Sequence, residues 1–164
     1  MKKVLLASAL VLMICARASA QTDSLYGTWR LVSAVRTVVA TGEKEEVFGK
    51  APRGFITYGP EGRMQVIIAS DQRPQPSQSA IDNMTDKEGR ELLRTMTAYA
   101  GTYTFDGKTV THHVDVSWNE VWTGTDLVRD VRLDAGRAIL TTRPGPSGRD
   151  GRIGTTTLIW EKVK

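Results

Sequence analysis

From Tyr26 onward the chain alternates apolar and polar residues in short runs, and glycine-containing turns separate those runs. A period of two places every second side chain on the same face of an extended strand, so each run has one face to bury and one to leave in water. The runs are rich in Val, Ile, Thr, Tyr and Trp, whose branched or flat side chains suit a pleated, half-buried surface. Strands are predicted over residues 26–39, 54–58, 63–69, 102–105, 109–118, 126–133, 138–142 and 155–163. Between them, Gly59-Pro60-Glu61-Gly62, Asp106-Gly107 and Asp134-Ala135-Gly136 supply residues that accept positive φ or preset a turn. Strands joined by such turns pair antiparallel, and a single domain with about eight of them either closes on itself or stacks as a sandwich. Closure leaves no unpaired edge, so the expected fold is all-β: an antiparallel eight-stranded barrel.

One segment departs from this rhythm. Thr85-Asp86-Lys87-Glu88 has capping-box spacing, and Leu92, Met96 and Tyr99 recur at helical intervals with Leu93 beside them. One short α-helix is predicted over residues 86–99. The preceding residues 71–79 are polar and twice interrupted by Pro, which reads as an exposed loop, with a lid among its roles. Residues 143–154, rich in Gly and Pro and without apolar period, read as a mobile loop joining the last two strands.

Residues 1–20 stand apart from the domain. Lys2 and Lys3 precede a predominantly apolar run over 4–16, and Ala18-Ser19-Ala20 follows. That is the pattern of a secretory signal peptide, with residues 21–164 as the mature domain. The run is shorter than the roughly 20 residues a bilayer requires. Export to the periplasm or the medium is therefore expected, with no membrane insertion once the leader is removed. The whole chain carries 22 Lys and Arg against 18 Asp and Glu. Removing Lys2, Lys3 and Arg17 with the leader takes the excess from +4 to +1, too little for the basic footprint of a nucleic-acid binder. The one cysteine, Cys15, also lies in the leader, which leaves no thiol for a disulfide or a nucleophile in the domain. As a lipid acceptor Cys15 would want a small residue before it, and Ile14 stands there.

Several segments taken in order carry a likeness. They are Gly27-Thr28-Trp29-Arg30-Leu31-Val32-Ser33, Tyr58-Gly59-Pro60-Glu61-Gly62-Arg63-Met64, Tyr99-Ala100-Gly101-Thr102-Tyr103, Thr111-His112-His113-Val114-Asp115-Val116-Ser117 and Trp160-Glu161. Together they resemble the bacterial and fungal lipocalin-like domain family, relatives of the calycin barrels, over nearly all of residues 21–164. The resemblance implies an eight-stranded calycin-type barrel enclosing a small-molecule site, and no general biochemical activity. Thr125-Asp126-Leu127 only partly matches the Thr-Asp-Tyr motif of the better-known secreted lipocalins, so their transport role does not carry over with the fold.

Strand parity selects the candidate site. Over 109–118, Val110, His112, Val114, Val116 and Trp118 share the apolar face, while His113, Asp115 and Ser117 share the other. His112 thus becomes an ionisable group inside an apolar barrel, as a hydrogen-bonded core residue or as an acid, base or ligand anchor. His113 faces solvent near Asp115. Arg129 shares its face with Leu127, Val131 and Leu133, which makes it an interior cation. A buried guanidinium needs a partner: a carboxylate such as Glu120 or Asp126, or an anionic ligand. Trp118, Trp122, Tyr103 and Tyr58 supply aromatic surface that serves equally as pocket wall or as core, and Met64, Val66 and Ile68 are further lining candidates.

Other chemistries lack their residues. His112 and His113 point to opposite faces and cannot share one metal, so no metal site is expected. No phosphate loop or Gly-x-Ser-x-Gly elbow is present. Ser117 lies on the face opposite His112, which excludes a serine-histidine dyad. A haem ligated by His112 alone has no supporting residue, and no cofactor is expected. The reading is an exported barrel that binds a small, partly hydrophobic molecule, anionic where Arg129 anchors it, with His112 as a hydrogen-bonding group. Two alternatives stay open. One is an isomerase or cyclase with His112 as acid or base and Arg129 stabilising an oxyanion or enolate; the other is an envelope protein with a filled barrel. Oligomeric state is not legible in the sequence.

Overall fold

The computed structural model describes residues 25–76, 81–148 and 150–163. The leader and the end of the 71–79 loop lie outside the described residues. The strands are β1 (Gly27–Val38), β2 (Lys44–Glu46), β3 (Arg53–Tyr58), β4 (Arg63–Ala69), β5 (Met96–Phe105), β6 (Thr109–Ser117), β7 (Asp126–Asp134), β8 (Arg137–Thr142), β9 (Gly145–Pro146) and β10 (Ile153–Lys162). One helix, α1 (Asp86–Arg94), sits between β4 and β5. Eight strands form the barrel wall: β1, β3 to β8 and β10 pair antiparallel in that order, and β10 returns to β1 from Trp29–Lys162 to Val38–Gly154. The short β2 and β9 add to β1 and β10 outside this ring.

Tight turns set the register. At the β5–β6 hairpin Asp106 Oδ1 accepts the Lys108 and Thr109 amides at 2.8 and 2.6 Å, and Gly107 takes φ +94°. These amides hold the Asp106 carboxyl below its ordinary range.

The helix is shorter than expected. Its capping box is formed: Thr85 Oγ1 accepts the Glu88 amide, and the Glu88 carboxylate accepts the Thr85 amide. It ends at Thr95, and the next residue begins β5. Met96 to Thr102 pair with β4, while Tyr99, Gly101 and Tyr103 point into the barrel. The two-residue period of Tyr99, Gly101 and Tyr103 prevails over the helical spacing of Leu92, Met96 and Tyr99, because pairing with β4 and β6 satisfies this backbone on both sides.

Two bulges reverse parity within strands. In β1 the register shifts between Leu31 and Ser33, so Trp29 and Leu31 face inward before it and Ala34, Arg36 and Val38 after it. In β6 the shift lies opposite Ala100 and Gly101. His112 and Val114 are inward as expected, but Val116 is turned out and is 59% exposed. Gly101 is required there, since a Cβ would collide with the His113 carbonyl.

The barrel has one plugged and one open end. The plugged end carries the β3–β4, β5–β6 and β7–β8 hairpins. Trp29 packs within the core cluster that includes Leu25, Leu31, Tyr58, Met64, Tyr103 and Val110. Its indole donates to the Leu25 carbonyl at 2.8 Å, and Lys162 Nζ sits 5.1 Å from its ring. The Gly-x-Trp opening is thus the stopper of this end.

At the opposite end lie α1, a short 3-10 turn (Glu120–Trp122) and the β9 hairpin. Two arginines bind the described part of the 143–154 segment to β1 and β2. Arg36, 5% exposed, reaches Glu45 at 2.9 Å and Asp150 at 3.0 Å, and donates to the Arg152 carbonyl at 2.7 Å. Arg152 in turn meets Glu43, Glu45 and Asp150. Asp150 is held far below the usual carboxylate range by the Arg36 and Arg152 hydrogen bonds. A Cβ at residue 154 would press on the Arg36 guanidinium, so Gly154 gives it room.

Candidate functional site

Above the plug the barrel is hollow. A cavity of about 790 Å³ runs from Trp160, Leu140 and Ile56 to a mouth formed by α1, the Trp118–Trp122 segment and the β9 hairpin. That volume is within the range of small-molecule sites. The hollow interior is at odds with the filled-barrel alternative.

Of the residues singled out from sequence, His112, Arg129, Trp118 and Trp122 line the cavity, as do Val66 and Ile68. Tyr58, Tyr103 and Met64 do not: they are buried in the core toward the plugged end. The Tyr103 hydroxyl donates to the Gly59 carbonyl at 3.1 Å, and its ring meets Tyr58 edge-on at 4.8 Å. At the mouth Trp118 and Trp122 pack edge to face at 5.1 Å, and Trp122 lies 6.0 Å from Tyr99. The Trp118 indole donates to the Leu93 carbonyl at 2.9 Å, so its position depends on the end of α1.

His112 is bracketed. Its Nε2 is 2.8 Å from the Tyr58 hydroxyl and its Nδ1 is 2.8 Å from the Tyr99 hydroxyl. Burial, and then the charges of Arg129 and His113, push its pKa down to about 3, so the ring is neutral near pH 7. With both nitrogens occupied, it has none free to take a proton from a substrate or to bond a ligand directly. Its influence on the cavity passes through Tyr99.

Tyr99 is the residue that sequence reasoning missed as a site residue, because the helical spacing placed it at the end of a helix. Its position two residues before Gly101 and four before Tyr103 on one strand face was the available signal. Arg129 shares the cavity wall with Tyr99, and its charge lowers a Tyr99 pKa that burial raises more strongly. Burial raises the Tyr58 hydroxyl further, with the Tyr99 and Tyr103 hydroxyls adding to it.

The expected partners of Arg129 are engaged elsewhere. Asp126 binds His113 at 2.7 Å, and Glu120 accepts from Thr123 at 3.2 Å. Thus His113 faces outward as expected but meets Asp126, while Asp115 pairs with Arg63 at 2.6 Å. Arg129 donates to the Val128 carbonyl at 2.9 Å. Three other arginines line the cavity, and each has a carboxylate: Arg36 has Glu45 and Asp150, Arg94 has Glu91, and Arg143 has Asp130. Among the described residues Arg129 has none.

The described residues contain no helix long and apolar enough to cross a membrane. Among curated proteins none matches the chain. Among solved structures, the crystal structure of a lipocalin-like protein from Bacteroides uniformis ATCC 8492 is similar, at 16% identity and a TM-score of 0.45, over 85% of this chain and 99% of that one. The model of the lipocalin-like domain matches residues 26–163, the whole barrel from the strand carrying the Trp29 stopper to the one carrying Trp160, and the chain accordingly belongs to that family.

Proposed function

We propose that the protein is exported and holds a small, partly hydrophobic molecule in the barrel, with an anionic group of that molecule against Arg129. The observation that carries this reading is the guanidinium itself. It is half-buried on the cavity wall, it has no carboxylate among the described residues, and the cavity's three other arginines are all paired. A partly desolvated cation gains most from an anion brought to it, and a planar guanidinium suits a carboxylate. The apolar remainder would lie along Ile56, Val66, Ile68, Leu140 and Leu158, with Trp122 at the entrance.

The test uses two probes of the same shape, 2-naphthoate and 2-naphthamide, titrated by calorimetry or by quenching of tryptophan fluorescence. A charge-assisted hydrogen bond contributes about 1.5–3 kcal/mol, which corresponds to roughly 10- to 100-fold in affinity. Arg129→Met is expected to cost that factor for the acid and little for the amide. Equal losses for both probes would remove the charge-anchoring role.

A further inference from the structure

The hydrogen-bonded row Tyr58–His112–Tyr99 has a direction, and Tyr58 sets it. A neutral imidazole has one nitrogen that donates and one that accepts. Were the proton on Nε2, it would be given to the Tyr58 oxygen, and the hydroxyl proton of Tyr58 would need another acceptor. Tyr58 is 1% exposed, and among the described residues His112 is the hydrogen-bond partner of its hydroxyl, with no second one. A buried donor left unsatisfied is costly, so this arrangement is disfavoured. With the proton on Nδ1, Tyr58 donates to Nε2 and Nδ1–H donates to the Tyr99 oxygen.

That assignment leaves one proton over, on the Tyr99 hydroxyl. His112 Nδ1–H donates to that hydroxyl, and the Arg129 guanidinium that shares the cavity wall has no acceptor to offer. Tyr99 lines the cavity, as do His112 and Arg129, whereas Tyr58 does not. The acceptor for the Tyr99 proton must therefore come from the cavity.

From this hydrogen-bond geometry we infer that Tyr99 and Arg129 form a two-donor site for a carboxylate, with the Tyr99 O–H turned toward the ligand by His112 and Tyr58. The inference rests on the interior-binding reading above and deepens it. It makes the head group an acceptor as well as an anion, and it excludes ammonium or other donor-only head groups from this position. Tyr99 would contact the ligand, while His112 and Tyr58 are positioning residues that fix which way its proton points.

Two measurements test it on the mature protein. Long-range proton–nitrogen correlation spectra of ¹⁵N-labelled wild type report the His112 tautomer directly; protonated Nδ1 with bare Nε2 is expected, and protonated Nε2 would overturn the inference. The second is binding of 2-naphthoate, 2-naphthamide and 2-methylnaphthalene. The acid and the amide both carry an oxygen that accepts from Tyr99, and the hydrocarbon carries none. Tyr99→Phe is expected to weaken the acid and the amide alike, by about tenfold, and to leave the hydrocarbon unchanged. Arg129→Met is expected to weaken the acid alone. If Arg129→Met behaves so and Tyr99→Phe binds all three probes as wild type does, the inference fails and the Arg129 reading stands. Equal affinity of wild type for all three probes, or no binding of any, would overturn both.

Discussion

Replacing His112 by Leu has two effects that separate with pH. At pH 7 the variant strips the only described partner from the Tyr58 hydroxyl, which is 1% exposed, and leaves a buried donor unsatisfied. That costs about 1–3 kcal/mol. The Tyr99 hydroxyl loses a bond as well, but it borders the cavity and can be hydrated, so its share is about 0.5–1.5 kcal/mol. A total near 2–4 kcal/mol lowers Tm by roughly 5–15 °C for a domain of this size. Acid changes the comparison. The folded His112 titrates at about 3 against its ordinary value of 6.5, so the unfolded chain takes up the proton first. The wild type therefore keeps this contribution in full above pH 6.5 and loses it as pH falls toward 3, at about 1.4 kcal/mol per pH unit. The Leu variant has no such loss. By pH 5 the gap between the two proteins should have narrowed by about 2 kcal/mol. Urea unfolding of both at pH 7, 6 and 5 measures the gap. Adding Tyr58→Phe to the Leu variant removes the stranded hydroxyl and should restore most of the stability lost at pH 7. A gap that stays constant with pH would refute the claim that His112 is buried and neutral.

Other perturbations follow from the two ends of the barrel. Trp29→Ala removes the stopper of the plugged end together with its bond to Leu25, and should cost about 3–5 kcal/mol in chemical denaturation. The cavity lining, which does not include Trp29, should still bind 2-naphthoate under conditions where the variant is folded. Asp150→Asn weakens the attachment of residues 143–152 to β1 and β2, because the carboxylate binds both Arg36 and Arg152. Faster amide exchange and proteolysis confined to that segment are expected. Since the folded carboxyl of Asp150 is depressed, its contribution is complete above the ordinary value of 3.8 and fades only as pH falls below it, so wild type should resemble the variant in strong acid but not at pH 5.

The barrel was legible because its signals are local. Turn residues such as Asp106-Gly107 fix hairpins, and alternation marks the strands between them. His112 and Arg129 could be placed inside because each lies in a stretch of strand whose parity is undisturbed. Parity failed where a bulge intervened. Val116 reads as inward from His112 and is outward, because an extra residue in β6 reverses the alternation without a mark in its own sequence; Gly101, on the neighbouring strand, is the only trace. Arg36 escaped notice for the same reason, since the bulge at Val32 is what turns it inward. Tyr99 was hidden by a second pattern of equal length, helical on one side and extended on the other. Whether Arg129 has a carboxylate depends on residues brought to the cavity from elements far apart in the chain, and no local pattern reports that.

The helix at the mouth is fastened differently from every strand. No residue of α1 is buried. It is held at its carboxyl end, where Arg73 reaches the Leu92 carbonyl and the Trp118 indole reaches that of Leu93. Lifting it breaks a few polar bonds, which water can replace, and uncovers little of the apolar core, whereas parting any two barrel strands would do both at greater cost. Displacement of α1 would therefore be uncoupled from the integrity of the barrel: it is resisted by a few hydrogen bonds at one rim, whereas folding stability rests on the aromatic packing at the other.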